Sequence, residues 1–311
     1  MNGMELSRRY FFDVAEPPLR RAYPDLYERL AAGLVGNGSE CFGYDDEISR
    51  DHDWGVDFFL WVPEGDRNAI PALREWKDRL FAANPPAFPR TRSQYGAGIG
   101  VMTAGDFYKS LIGYPDGPDE IQDWRRIPEE NLAMAVNGGV FIDNGGFFSA
   151  TRRKLLGYYP EDLRKKKLAA RCMAIAQTGQ YNLSRCYLRQ DWVTFRSVLT
   201  RFSDNVISAA FLLNRIYRPY YKWAYRKMTE LPILGTAVGV KLNEIARLCT
   251  LDTQSYKALQ GDVAEICALL AEELRRQQLA FTDDWFLTTH GEEIQNSIQN
   301  DFLRSLPAQY E

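Results

Sequence analysis

A chain of 311 residues with 45 % hydrophobic content is long enough for one large domain or two of ordinary size. Its 38 basic and 41 acidic side chains leave a net charge of -3, so no global field favours a long polyanion as partner. The five cysteines, at 41, 172, 186, 249 and 267, show no CxxC or paired short spacing, which argues against a disulfide framework or a structural zinc site. No apolar run approaches roughly 18 residues, and the expected setting is the reducing cytoplasm, with no membrane partner.

Pro24 suits the first turn of a helix running to about Ala32, with Gly33 as its stop. A short apolar step, Leu34-Val35, then enters Gly36-Asn37-Gly38-Ser39. After the polar segment GYDDEISRD, the stretch HDWGVDFFLWVP reads as a strand ended by Pro63 and Gly65. Residues 69–82 carry a helical period through Leu73, Trp76 and Leu80, and Asn84-Pro85-Pro86 breaks it. A strand around Gly98–Met102, an amphipathic segment around Asp106–Ile112 and a strand in GGVFIDNGG, 138–146, complete the first half. Mixed helices and strands predict an α+β domain around a small mixed sheet.

The texture changes after Tyr159-Pro160. Helical patterns cover 161–177, 191–217, 219–229, 237–248, 254–278 and 290–305, which predicts an all-helical C-terminal domain. The division expected is 1–155 and 156–311.

If Asp51 and Asp53 lie on one extended strand they share a face, while His52 and Trp54 point the other way. Two such carboxylates offer hard oxygen ligands to Mg2+ or Mn2+. Gly38 has no Cβ to keep a phosphate from the backbone, and Ser39 adds a hydroxyl at the start of the next turn. The lysine of GxxxxGK[ST] is missing, so this is not a P-loop. Asp57 has the same parity but lies about 13 Å along an ideal strand from Asp53, whereas Asp143 in VFID can approach from a neighbouring strand.

The stretch NGSECFGYDDEISRDHDWG resembles the glycine-serine plus paired-aspartate signature of the polymerase-beta-like nucleotidyltransferase superfamily. With YYPED and RPYYKWAYRK, the chain looks most like the bacterial family described as domain of unknown function 4037. Its layout is similar to that of the aminoglycoside nucleotidyltransferases. The resemblance implies a nucleotidyltransferase-like N-terminal domain and transfer of a nucleoside monophosphate from ATP or another nucleoside triphosphate to a hydroxyl acceptor. That acceptor is expected to be a small molecule; a protein acceptor and an inactive nucleotide-binding regulator are the alternatives. Gly38 and Ser39 match the phosphate-contacting pair, and Asp51 and Asp53 the first two metal ligands, with Asp143 chosen as the third carboxylate and proton acceptor. Two departures stand out: Arg50 separates Ser49 from Asp51, and no second motif announces the third carboxylate.

In the second half, Lys222 and Arg226 lie one helical turn apart beside Tyr217, Tyr220, Tyr221, Trp223 and Tyr225. YKWA looks like the lysine-bearing helix of aminoglycoside-modifying relatives, which makes Lys222, then Arg226, the candidate phosphate contacts in an interdomain cleft. The plainer reading is aromatic packing with solvated cations. Arg152-Arg153-Lys154 and Arg164-Lys165-Lys166-Lys167 are expected to form solvated faces rather than an RNA groove. His52 reads as a packed histidine, Cys41 as a small packed residue, and Asp45-Asp46-Glu47 as a charged turn.

Overall fold

A computed structural model describes residues 2–50, 53–90, 99–248 and 252–311. The chain divides into two units, Met1–Gly157 and Tyr158–Glu311. The boundary lies two residues beyond the one expected from sequence. The architecture is mixed α+β with one small four-stranded mixed sheet.

Unit 1 opens with helices α1 (Gly3–Tyr10) and α2 (Glu16–Ala22), joined by a π turn at Phe11–Ala15, and then α3 (Pro24–Tyr27). The helix expected to reach Ala32 stops at Tyr27, and Ala31–Leu34 forms strand β1 instead. Gly33 is therefore a strand residue, not a helix stop. A Cβ there would lie 2.5 Å from the Gly139 carbonyl, so its smallness serves strand pairing.

Helix α4 (Ser39–Phe42) leads on to strand β2 (Phe59–Val62), much shorter than the HDWGVDFFLWVP reading. Asp53 and Gly55 take φ of 52° and 122°, which a pleated strand cannot contain. Helix α5 (Ile70–Ala83), strand β3 (Val101–Thr103) and helix α6 (Ala104–Ile112) follow close to expectation. Two helices that the sequence reading passed over, α7 (Ile121–Arg126) and α8 (Glu129–Val136), precede strand β4 (Gly139–Asp143) and helix α9 (Phe147–Leu156).

The sheet order is β3-β2-β1-β4. β1 pairs antiparallel with both β2 and β4, and β2 pairs parallel with β3. All four residues of β1 are buried. Aromatic residues fill the space around the sheet: Phe11 meets Phe58 edge-on at 5.2 Å, and Trp61 stacks on Phe148 at 3.8 Å. Beside them, Lys77 of α5 donates to Asp57 at 2.6 Å and to the Phe58 carbonyl, pinning the start of β2 to α5. Asp57 is thus committed to a buried ion pair.

In unit 2 the helices are α10 (Glu161–Ile175), α11 (Leu183–Leu188), α12 (Trp192–Asn214), α13 (Tyr221–Thr229), α14 (Gly235–Arg247), α15 (Thr253–Arg276), α16 (Leu287–Asn296) and α17 (Asp301–Ser305). A π turn at Ala176–Asn182 carries α10 into α11. The expected solvated basic run on α10 is corrected, because Arg164 and Lys166 are buried. Arg164 forms a two-pronged pair with Glu161 and donates to the Leu212 carbonyl. Lys166 donates to Gln295 and to the carbonyls of Leu306 and Pro307, so its three donor positions are filled within the fold. The YYPED motif starts α10: Tyr158 and Tyr159 pack with Tyr217, and Glu161 also pairs with Arg215.

His290 on α16 is fully buried. Burial holds its imidazole below its ordinary pKa. The unfolded chain therefore takes up a proton as pH falls below about 6.5 while the folded chain resists it, and stability drops with falling pH. Urea midpoints measured from pH 7.5 to 5.5 are expected to fall, with a His290 contribution of at most about 1.4 kcal/mol per pH unit that is absent in His290→Phe.

Candidate functional site

The site begins where β1 ends. Gly36 and Asn137 exchange two hydrogen bonds, the Gly36 N–H to Asn137 Oδ1 at 2.8 Å and Asn137 Nδ2 to the Gly36 carbonyl at 2.7 Å. An amide side chain thus stands in for a neighbouring strand and holds the turn after β1 in place. Gly138 N–H then donates to the Cys41 carbonyl at 2.8 Å, fixing α4 against the start of β4. Arg152 of α9 donates to the carbonyls of Asn137 and Gly138, so this member of the expected solvated basic run is also built into the fold. Arg153 is exposed, and Lys154 pairs with Asp119.

Gly38 takes φ 127°, a conformation that favours glycine. Asn37 is exposed, and Gly38 and Ser39 are partly exposed, so this corner faces outward. Directly beneath it lies Glu40, 1 % exposed, whose carboxylate would lie 2.8 Å from a Cβ on Gly38. Burial raises the Glu40 pKa, and Arg90 opposes that rise. The ion pair between Arg90 Nη1 and Glu40 Oε1 has side-chain exposures of only 8 % and 0 %.

Arg90 also reaches the segment that precedes β2. Its Nη2 donates to the Asp53 carbonyl at 2.6 Å, and its Nη1 to the Gly55 carbonyl at 3.4 Å. One guanidinium therefore ties the Asp53–Gly55 bend to the turn at Gly38–Ser39. Gly55 is required for this approach, since a Cβ there would meet the Arg90 backbone at 2.8 Å. A second clamp runs through Asp45, whose Oδ2 accepts from the Gly3 N–H at 2.6 Å and from Trp54 Nε1 at 2.9 Å. Asp45 is thus part of the framework rather than a solvated turn residue, while Asp46 keeps the turn role by accepting from Ile48 and Ser49 N–H.

The sequence-predicted residues fall into three groups. Gly38, Ser39 and Asp53 are brought to the same end of the sheet; Asp51 and His52 lie outside the described residues. Asp53 sits in a bend at φ 52°, so the strand alternation used to pair it with Asp51 does not apply. Asp143 is placed elsewhere on the sheet. It pairs in register with Ala31, at the end of β1 remote from the glycine turn, about 10 Å along the sheet from the Leu34 level. Its Oδ2 accepts from the Ser149 N–H at 2.7 Å, satisfying the first turn of α9. Lys222 and Arg226 are exposed on α13 in unit 2, with the Lys222 ammonium 5.0 Å from the Trp223 ring centroid. Tyr217 is buried with Tyr158 and Tyr159 rather than forming an open wall.

No three His, Cys, Asp or Glu side chains among the described residues come together as a metal-binding group. Asp53 is the one described member of the expected ligand set at the turn. The nearby Glu40, Asp45 and Asp57 carboxylates are held by Arg90, by Trp54 with Gly3, and by Lys77. The described residues therefore do not by themselves fit a complete three-carboxylate metal centre.

Glu40 and Arg90 are the residues that sequence reasoning missed. They are separated by 50 positions, and Arg90 follows a proline-rich stretch without periodicity. Arg90→Met is expected to leave a buried carboxylate uncompensated and destabilise unit 1 by about 3–5 kcal/mol in urea unfolding. Asp143→Ala is expected to cost only about 1 kcal/mol in urea unfolding, the loss of a helix-end acceptor.

A family model described as Domain of unknown function (DUF4037) matches residues 124–224. No curated protein and no solved structure matches the chain. The matched span runs from α7 to α13 and includes β4, the YYPED motif and YKWA, while the glycine-serine turn and Asp53 lie before it. Over that span, the chain is similar to this family.

Proposed function

We propose that the chain is a nucleotidyltransferase that binds the phosphates of ATP or another nucleoside triphosphate at the Gly38–Ser39 turn and transfers a nucleoside monophosphate to the hydroxyl of a small molecule. The observation that carries this reading is the Arg90 bridge, which holds the Asp53 bend beside a glycine turn that faces outward. Gly38 keeps side-chain bulk away from an incoming phosphate, and Ser39 offers a hydroxyl donor. The negative end of Glu40 is balanced from below by Arg90, which limits its repulsion of a phosphate.

Mg2+ or Mn2+ is the cofactor of this proposal, with Asp51 and Asp53 as its protein ligands; it would neutralise charge on the phosphates. The chain's own contribution is to bind and orient the triphosphate. The pairing of Asp143 with Ala31, three residues along β1 from Leu34, and its bond from the Ser149 N–H favour a second reading, a nucleotide-binding regulator without turnover.

Pyrophosphate release, measured with mixed nucleoside triphosphates, Mg2+ or Mn2+ and a panel of hydroxyl acceptors, separates the two. The transfer reading predicts metal-dependent release that Asp53→Asn lowers about a hundredfold while the urea midpoint stays close to that of the parent. Equal release by parent and variant rejects the role of Asp53. Nucleotide binding without release across the panel selects the regulator.

A further inference from the structure

In unit 2 the link between α11 and α12 is only three residues long, Arg189–Asp191. Backbone bonds close it: the Gln190 N–H donates to the Tyr187 carbonyl at 3.0 Å and the Asp191 N–H to the Cys186 carbonyl at 3.1 Å. Asp191 also caps α12 by accepting from the Thr194 N–H at 3.1 Å. Every residue from Leu188 to Thr194 is exposed, so the hairpin ends in a convex tip.

A tip of this kind ordinarily carries small and polar residues. Here it carries Leu188, 78 % exposed, Val193, 83 % exposed, and the open side of Trp192, whose ring meets Tyr187 edge-on at 5.7 Å. Tyr187 in turn stacks on Tyr256 of α15 at 3.5 Å, so the tip stands on a packed aromatic base. One exposed leucine needs no explanation, but adjoining apolar side chains on a braced tip mark a contact surface.

The charge around the tip is cationic. Arg185, Arg189 and Arg196 are all exposed. Arg185 lies over the Tyr181 ring at 3.9 Å, and Arg196 donates to the Leu248 carbonyl at 3.1 Å while keeping its charge. The carboxylates at the adjoining helix starts, Asp191 and Asp252, are both spent as caps on the N–H groups of Thr194 and Ser255.

A convex apolar tip needs either a matching pocket or a surface that closes around it. A bilayer does the second: its acyl boundary accepts leucine, valine and one edge of an indole, and anionic headgroups pair with arginines at the rim. No helix among the described residues is long and apolar enough to cross a membrane, so the contact is with one leaflet.

We infer that the α11–α12 tip docks on an anionic lipid surface, with Leu188, Trp192 and Val193 entering the acyl boundary and Arg185, Arg189 and Arg196 meeting the headgroups. With a net charge of -3 on the whole chain, the attraction is local to the tip and decays within about 10 Å at 0.1 M salt. The inference is independent of nucleotide transfer in unit 1.

Sedimentation of the full chain with vesicles of phosphatidylcholine containing about 30 % phosphatidylserine, and with vesicles of phosphatidylcholine alone, tests it. Binding to the anionic vesicles is expected to be about tenfold or more tighter, and to weaken as salt rises from about 0.1 M to about 0.5 M. Leu188→Ser with Val193→Ser, whose parent side chains are exposed, is expected to fold normally in urea unfolding and to lose about tenfold or more in affinity. Arg189→Gln is expected to lose about fivefold on the anionic vesicles only. Val240→Ser, at an exposed site on α14, is expected to change nothing. Absence of binding, equal affinity for both vesicles, or undiminished binding by the folded double variant overturns the assignment. Self-association of the parent that the double variant abolishes, without vesicle binding, also overturns it and gives the tip to a protein contact.

Discussion

The buried ion pair between Glu40 and Arg90 is the constraint on which the site depends. The turn after β1 and the bend before β2 are separate pieces of chain, and the ladder between β1 and β2 begins only at Phe59. Arg90 closes that gap by serving a carboxylate on one side and two carbonyls on the other. A neutral side chain would leave Glu40 charged and unsatisfied in a dry environment, while a shorter cation would lack the planar fork needed for all three acceptors. The glycines at 38 and 55 belong to the same device, since each lets an otherwise obstructed group come close.

Unit 2 uses charge in a similar way. Arg164 and Lys166 look like surface residues within a basic run, yet they bind Glu161, Gln295 and several carbonyls inside the unit. Helix ends leave carbonyls unpaired, and buried cationic side chains of sufficient reach can satisfy them. The same four-residue run that suggests an electropositive face is therefore largely spent on internal structure. Lys222 and Arg226 differ, being exposed on α13 next to aromatic rings.

Much of the secondary structure was legible in the sequence. Helices α5, α12 and α15 follow from a sustained 3.6-residue period, and β4 from an apolar triplet between glycine pairs. The errors have physical causes. Ala31–Leu34 carries helix-compatible residues but pairs on both sides with strands, and that pairing outweighs local preference. The stretch around Asp53 is rich in strand-forming residues, yet two left-handed backbone positions bend it out of the sheet.

For the site itself, the sequence determined which groups are present: a glycine-serine turn, an acidic cluster downstream and a helical second half. These are local facts, carried by residue type and short spacing. Only the tertiary structure decided which groups meet. Asp143 went to the remote end of the sheet because antiparallel pairing with β1 reverses the direction of β4 and carries its last residue away from the turn. Arg90 came to Glu40 across 50 residues because folding brings the chain after α5 back beside the bend, and no local pattern encodes that return.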